Sequence, residues 1–203
     1  MCIFAAHYQS VIVMSQFEYK PRIADGVLEK KLKSSGAVLV EGPKWCGKTT
    51  TSEQHAKSIN YISDPVNLNK NMILAEMNIN ALLEGDKPKL LDEWQIIPQL
   101  WDAVRFEVDH SKGIGQFIMT GSAVPPDKEK QAKIHHTGTG RITSLRMRPM
   151  SLWESGESSG EVSLANLFNN PGTTIYSESK FQLEQIAFLI CRGGWPIATT
   201  LEK

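Results

Sequence analysis

The stretch Gly42-Pro-Lys-Trp-Cys-Gly47-Lys48-Thr49 decides how the rest of this sequence is interpreted. It matches the pattern G-x-x-x-x-G-K-[ST], in which a glycine-bearing loop wraps its backbone N–H groups around a phosphate. The apolar run Ala37–Glu41 precedes the loop and predicts a buried strand, and a helix is predicted from Lys48 to about Ser58. A strand, a glycine loop and a helix in this order predict a phosphate-binding unit, and a glycine-bearing turn without a nucleotide is the alternative.

The residue types of the loop each have a physical role in such a unit. Lys48 would place a positive charge beside the β- and γ-phosphates of a nucleotide, and Thr49 would give its hydroxyl to Mg²⁺. The predicted nucleotide contacts are Gly42, Pro43, Lys44, Trp45, Cys46, Gly47, Lys48, Thr49 and Thr50. Trp45 is expected either to shield the phosphates or simply to fill its position, and Cys46 to occupy a position where the pattern fixes no residue type.

A second element, Lys89-Leu-Leu-Asp92-Glu93, follows further along the chain. Apolar residues before an acid predict a buried strand that presents Asp92 at its carboxyl end, the edge where ligands bind in open α/β sheets. Asp92 would hold Mg²⁺, and Glu93 would orient and polarise a water for attack on the γ-phosphate. A strand that ends in two solvated acids is the alternative.

A third element, Phe117-Ile-Met-Thr120-Gly-Ser122, predicts a strand that ends in small polar residues. Next to a phosphate loop, a hydroxyl at this point would sense the γ-phosphate or the attacking water. The sequence does not separate Thr120 from Ser122, and we favour Ser122. A plain strand-to-loop turn is the alternative.

Strands and helices alternate through the centre of the chain, which predicts an α/β fold with a parallel sheet covered by helices. Trp94, Trp101 and Trp153 lie among apolar neighbours and are predicted to be core residues. The other predicted elements are a strand at Asn60–Ser63, a helix over 69–84, a helix opened by Pro98, a strand at Gln116–Met119, an exposed or mobile loop over Val124–Gly140 and a strand at Ile142–Met147.

The composition of the 203 residues excludes several classes of protein. Lysine plus arginine and aspartate plus glutamate number 22 each, so there is no global electrostatic argument for a nucleic-acid partner, although a local patch stays open. No apolar run approaches the roughly 20 residues of a membrane span. The three cysteines, Cys2, Cys46 and Cys191, are too widely spaced for a disulfide framework or a zinc site, which favours a cytoplasmic protein with reduced thiols.

Together these elements resemble the AAA-type ATPases, and more closely a family of prokaryotic AAA domain-containing ATP-binding proteins with a C-terminal domain of uncharacterised function. The resemblance covers about residues 17–200 and rests on the phrases EGPKWCGKTTT, KLLDEWQ, FIMTGSA, GRITSLRMRPMSLWE and RGGWP. It implies a three-layer α/β/α core with strand order 5-1-4-3-2 and a short, mainly helical C-terminal segment after the core. It also implies ATP as the nucleotide, an interpretation that the absence of a guanine-reading N-K-x-D element supports.

The resemblance also suggests a division of the chain. We expect a flexible extension over residues 1–16, the ATPase domain over residues 17–152, and a linker plus the start of a truncated C-terminal domain over residues 153–203. An apolar helix expected over 179–190 would be available for self-association or a protein partner. Arg141 matches the GR position of the family and would approach a phosphate; a solvated or structural arginine is the alternative.

The favoured function is therefore a Mg²⁺-dependent ATPase. In this hypothesis Glu93, Lys48 and Ser122 are catalytic, and Thr49 and Asp92 hold the metal. The alternative is a nucleotide-dependent binding or switch module with little or no hydrolysis. A small-molecule kinase is a third hypothesis, which the DEWQ element and the family resemblance disfavour.

Overall fold

The structure of the protein, a computed structural model, describes residues 18–122 and 137–200. The extension predicted over residues 1–16 and most of the loop predicted over Val124–Gly140 lie outside these ranges. In chain order the elements are α1 (Ile23–Leu32), β1 (Ala37–Gly42), α2 (Lys48–Glu53), β2 (Ser58–Tyr61), α3 (Leu68–Asn78), β3 (Lys89–Asp92), α4 (Leu100–Ser111), β4 (Phe117–Ser122), β5 (Ile142–Arg146), α5 (Leu164–Asn169) and α6 (Leu183–Arg192). Short 3₁₀ helices occupy Ile79–Leu82, Trp94–Ile96 and Ala198–Thr200.

The strands form a parallel sheet in the order β2-β3-β4-β1-β5. Counted from the other edge this is 5-1-4-3-2, so the predicted order is confirmed. Val40 pairs with Thr120 of β4 and with Leu145 of β5, and Asp92 also pairs with Thr120. The carboxyl ends of β1, β3 and β4 therefore meet at one edge of the sheet.

Helices cover both faces of this sheet. Side chains of one strand alternate between the faces: Val38 packs in a cluster with Leu28 of α1, whereas Ala37 packs in another with Val104 of α4. Phe117 of the central strand β4 is fully buried in the second cluster. The predicted three-layer α/β/α arrangement is confirmed.

Two element boundaries differ from the prediction near the phosphate loop. Helix α2 ends at Glu53 rather than near Ser58, and β2 occupies Ser58–Tyr61 rather than Asn60–Ser63. The chain has to reverse before Ser58 because β2 pairs with β3, and the N–H of Lys57 already bonds to the carbonyl of Pro88 at 2.8 Å. Strand pairing, which the local sequence does not encode, sets both boundaries.

The predicted tryptophan positions are confirmed in two cases of three. Trp94 is 8% exposed, and its ring lies 5.2 Å from that of the half-buried Trp101. Trp153 is 54% exposed, so its assignment to the core is wrong. The next residue, Glu154, directs its carboxylate inward to Arg22, which leaves the indole of Trp153 on the outer side of this turn.

The regular elements of the C-terminal segment, over the described residues 153–200, are all helices, although most of its residues lie in turns and irregular structure. Helix α5 was not predicted, and α6 begins at Leu183, later than the predicted start near residue 179. The side-chain carbonyl of Gln185 accepts a bond from the backbone N–H of Gln182 at 2.8 Å and so caps α6 at its observed start. Leu183 and Ile190 are each 76% exposed, so α6 presents apolar side chains to solvent.

Candidate functional site

The glycine loop between β1 and α2 lies at the carboxyl edge of the sheet. Gly47 has φ 100°, a left-handed conformation that favours glycine. A Cβ built on Gly42 would lie 2.4 Å from the carbonyl oxygen of Met147, so a side chain would displace the backbone after β5. Trp45 also has a positive φ of 63° although it carries a side chain, and it is 81% exposed. The loop therefore keeps a strained conformation that requires its two pattern glycines.

Lys48 is folded into this loop. Its side chain is buried, and Nζ donates hydrogen bonds to the carbonyl oxygens of Gly42 at 3.1 Å and Pro43 at 3.0 Å. The ammonium group is thus held by the backbone of the loop that it is predicted to serve. Of the other residues predicted to contact nucleotide, Pro43, Lys44, Trp45 and Thr50 are exposed, Gly47 and Thr49 are half-buried, and Gly42 and Cys46 are buried.

Three oxygen-bearing side chains converge beside the loop. Thr49 Oγ1 donates to Asp92 Oδ1 at 2.7 Å, and Thr120 Oγ1 donates to the same oxygen at 2.5 Å. The three residues come from α2, from the end of β3 and from β4, and Asp92 is 7% exposed. The sequence predicted that Thr49 and Asp92 share one site, and the fold brings these two side chains into contact.

Thr120, one of the two hydroxyl residues that the sequence left unseparated, contacts Asp92. Its oxygen also accepts a bond from the backbone N–H of Glu93 at 3.3 Å. Ser122 ends β4 in register with Gly42, the first glycine of the loop. The catalytic role favoured for Ser122 stays a prediction, and Thr120 joins the candidate site.

Glu93 follows Asp92 at the same edge of the sheet. It has φ 58° and ψ 44°, a left-handed conformation that is uncommon for a residue with a side chain. Its carboxylate Oε2 accepts a hydrogen bond from Nε2 of Gln95. Sequence reasoning quoted the phrase DEWQ but gave Gln95 no role, since a contact between residues two apart in a 3₁₀ turn has no signature in composition or periodicity.

Arg22 is a further residue of the site that sequence reasoning missed. It lies directly before α1, is 7% exposed, and donates from Nη1 to the carbonyl of Cys46 at 2.9 Å and from Nη2 to the carbonyl of Arg148 at 2.8 Å. Its Nε pairs with Glu154 Oε1 at 3.0 Å. An isolated arginine after a proline carries no pattern that would reveal these contacts.

The carboxylate of Glu154 is correspondingly well satisfied. Burial by itself would raise its pKa, but the N–H groups of Ser151 and Ile23, the Ser151 hydroxyl and the Arg22 guanidinium stabilise the ionised form. The net effect is that the pKa of Glu154 lies below its usual value. The start of the stretch predicted as a linker is therefore anchored through Arg22, which also contacts the backbone of the phosphate loop.

The C-terminal segment also reaches the loop. Trp195, in the phrase RGGWP, donates from its indole Nε1 to the carbonyl of Lys44 at 3.0 Å. The N–H of Met150 donates to the carbonyl of Gly194 at 2.6 Å, and a Cβ built on Gly194 would lie 2.1 Å from the Met150 oxygen. A glycine is thus required at position 194 for Trp195 to approach the loop.

A polar cluster joins the start of the described chain to α2. The Tyr19 hydroxyl donates to Asp25 Oδ1 at 2.7 Å and lies 3.2 Å from Thr51 Oγ1 of α2. His55 Nε2 is 3.0 Å from the same Asp25 oxygen. Burial, with the neighbouring Asp25 carboxylate, raises the pKa of Tyr19. The helix that follows the phosphate loop is therefore linked to α1 through the Tyr19 hydroxyl.

Arg141 lies at the opposite edge of the sheet from the loop. Its carbonyl accepts a bond from the N–H of Ala37 at the start of β1, and its Nε pairs with Asp109 Oδ1 at 2.5 Å. The hydrogen bond from Arg141 is the main reason why the pKa of Asp109 lies below its usual value. Within its own chain Arg141 lies away from the phosphate loop, because the residue precedes β5 whereas the loop follows β1. These contacts favour the alternative of a structural arginine.

The fold and the loop define a class of protein: a parallel sheet of this strand order, with a glycine loop after β1, is the core of a P-loop NTPase. Residues 34–155 match the family described as AAA domain. The match covers more than half of the chain, which therefore belongs to this family and has the P-loop architecture associated with nucleotide binding.

No match to the chain was found among curated proteins. No helix within residues 18–122 and 137–200 is long and apolar enough to cross a membrane.

Proposed function

We propose that this protein binds ATP together with Mg²⁺ and hydrolyses it to ADP and phosphate. The observation that carries the proposal is the hydrogen bond of 2.7 Å between Thr49 and Asp92, which are 43 residues apart in the sequence. A hydroxyl at the start of α2 and a carboxylate at the end of β3 meet beside the loop that contains Lys48. This is the pairing of groups that a metal-bound nucleotide requires in P-loop enzymes.

Phosphate binding falls to the loop. Its backbone N–H groups and the ammonium of Lys48 supply the positive field that the β- and γ-phosphates need. Lys48 exchanges its bonds to the carbonyls of Gly42 and Pro43 for bonds to phosphate oxygens. The preference for ATP over GTP rests on the family resemblance.

The residues at the site fit Mg²⁺. Thr49 and Asp92 offer two hard oxygen donors. In the described part of the chain, no group of three or more His, Cys, Asp or Glu side chains is arranged to hold a metal by itself. Mg²⁺ is typically bound by one or two protein groups, with phosphates and waters filling the other positions. The metal, when bound, supplies charge neutralisation on the phosphates.

Hydrolysis falls to Glu93. Its carboxylate lies one residue beyond Asp92 and accepts the proton of a water whose oxygen attacks the γ-phosphorus while the bond to ADP breaks. Thr120 supports both acidic residues, since its hydroxyl contacts Asp92 and the N–H of Glu93. Ser122, at the end of the same strand, is proposed to sense the γ-phosphate.

The test is phosphate release from Mg-ATP by the purified chain, compared with Glu93→Gln. Glu93→Gln should bind ATP as tightly as wild type. Its rate of phosphate release should be lower by about 100-fold or more, because it lacks the general base. Glu76→Gln is the matched control, since Glu76 is exposed on α3. Undiminished release in Glu93→Gln contradicts the role of Glu93, and ATP binding without release in wild type contradicts hydrolysis.

A nucleotide-dependent switch is the second candidate function. It is favoured by the bond from Trp195 to the carbonyl of Lys44, which links the loop to the segment that follows α6. A change of the loop on nucleotide binding would then alter α6 and its exposed apolar side chains. Hydrogen exchange in α6 that changes with ATP, while phosphate release stays at background, would select this function over hydrolysis.

A further inference from the structure

Gln95 turns its side chain back toward the carboxylate that the proposed function uses as general base. It lies in the 3₁₀ turn Trp94–Ile96, and its Nε2 donates to Glu93 Oε2. The orientation of the amide follows from chemistry, because a reversed amide would place its oxygen against the carboxylate. The carboxylate of Glu93 therefore has a dedicated hydrogen-bond donor two residues away.

Gln95 is itself placed by the end of β4. A Cβ built on Gly121 would lie 2.8 Å from Gln95 Oε1 and 3.0 Å from Trp94 Nε1. Any side chain at position 121 would push the amide of Gln95 out of place. Gly121 pairs with Glu41, the residue before the first loop glycine, so Gln95 lies over the sheet edge between Asp92 and the phosphate loop.

The arrangement carries two local costs at neighbouring residues. Gln95 Oε1 is buried without a hydrogen-bond partner, and Glu93 has a left-handed backbone despite its side chain. An unsatisfied buried oxygen and a positive φ each disfavour the folded state. Costs of this kind persist where an arrangement serves function rather than stability, and here both concern the orientation of one carboxylate.

We propose that Gln95 is a positioning residue that holds the Glu93 carboxylate in the orientation for accepting a proton from water, and that Gly121 provides the space for it. The inference rests on the proposed function. Loss of the contact should lower kcat by about 10- to 100-fold, because a misplaced general base costs this much. KM for ATP should stay within about twofold of wild type, since ground-state binding belongs to the loop and the metal residues.

The test measures phosphate release over a range of ATP concentrations with the full chain. Gln95→Met keeps the shape of the side chain and removes its N–H donor, so it separates positioning from packing. Gly121→Ala is expected to displace Gln95 and reproduce the kcat loss. The double variant should be little worse than either single variant, because both act on one contact. Gln99→Ala, at an exposed glutamine before α4, is the control that retains wild-type kinetics.

The outcomes are separable. Wild-type kcat in Gln95→Met overturns the proposal, and so does a raised KM with unchanged kcat. Thermal unfolding shows whether Gln95→Met or Gly121→Ala has lost its fold. If one of them has, the kinetics of the other variant test the proposal. If the wild-type protein releases no phosphate, both the proposed hydrolysis and the role of Gln95 are overturned. If wild type is active, and Glu93→Gln abolishes the activity whereas Gln95→Met does not lower it, only the role of Gln95 is overturned.

Discussion

Arg22 and Glu154, 132 residues apart in the chain, form a buried ion pair with 3.0 Å between Nε and Oε1. Their side chains are 5% and 6% exposed. The same guanidinium donates to the carbonyls of Cys46 and Arg148. One arginine therefore joins the start of α1, the phosphate loop and the chain beyond β5, and it supports the loop from behind.

Arg22→Ala should be strongly destabilising. The substitution leaves the Glu154 carboxylate buried without its cation, and breaking a buried pair in this way costs about 3–5 kcal/mol of unfolding free energy. Chemical denaturation monitored by tryptophan fluorescence measures the loss. Arg141→Ala is the control, because Arg141 pairs with Asp109 at the surface and should have little effect. Equal effects of the two substitutions would contradict the structural role of Arg22.

Stability should fall on acidification partly through Glu154. Its pKa in the folded protein is below the ordinary value of 4.5, because the hydrogen bonds and Arg22 outweigh burial. A carboxyl group with a depressed folded pKa contributes stability that is complete above pH 4.5 and is lost as the pH falls through the folded pKa. Denaturation midpoints from pH 7 to pH 3 should therefore decline less steeply in Glu154→Gln than in wild type. An identical slope in both proteins would show that Glu154 is not part of the acid response.

Lys48→Ala should abolish nucleotide binding. Lys48 is the one buried lysine among the described residues of the loop. We expect the loss of its ammonium group to lower the affinity for Mg-ATP by about 100-fold or more. Titration with a fluorescent ATP analogue measures the change. Lys70→Ala is the matched control, since Lys70 is exposed on α3 and is not among the predicted nucleotide contacts. Similar losses in both variants would indicate general electrostatic attraction rather than a defined phosphate site.

Thr120→Val should impair hydrolysis more than Ser122→Ala. Valine keeps the shape of threonine but removes the hydroxyl that donates to Asp92 and accepts from the N–H of Glu93. We expect kcat to fall by about tenfold and the Mg²⁺ requirement to rise. Steady-state phosphate release at several Mg²⁺ concentrations tests this. The reverse order of effects would restore Ser122 as the principal hydroxyl.

Trp195→Phe should weaken nucleotide binding moderately. Phenylalanine keeps an aromatic ring but lacks the indole N–H that bonds to the carbonyl of Lys44. One neutral hydrogen bond contributes about 1 kcal/mol, so affinity should fall by roughly fivefold as the loop loses an outer support. Trp153→Phe, at a tryptophan that is 54% exposed, is the comparison. Unchanged affinity in Trp195→Phe would mean that the segment after α6 does not support the loop.

Much of the core could be predicted because it is encoded locally. Patterns only a few residues long predicted three features: the apolar run Ala37–Glu41, the glycines of the loop and the acid after Lys89-Leu-Leu. Strands β1 and β3 lie where they were expected. The strand order came from the family resemblance rather than from the residues themselves. The end of α2 and the position of β2 could not be predicted, since pairing with β3 determines where the chain reverses.

The candidate site divides in the same way. Lys48, Thr49 and Asp92 were found from motifs, because phosphate and metal chemistry restrict the residue types and their spacing. Arg22 and Trp195 were missed as contacts of the loop, since they act on backbone carbonyls. A carbonyl accepts from any suitable donor, so neither partner leaves a mark on the loop sequence.

The sequence by itself determined the α/β class, the phosphate loop and the acidic strand end, because backbone conformation, burial of alternate residues and phosphate chemistry each restrict residue types over short stretches. The tertiary structure alone decided that Thr120 contacts Asp92, that Arg141 lies away from the loop, and that Arg22 lies behind it. These relationships depend on which strands become neighbours and on which edge each chain end reaches. Packing across the whole sheet determines the strand neighbours, so no single segment of the sequence predicts these contacts.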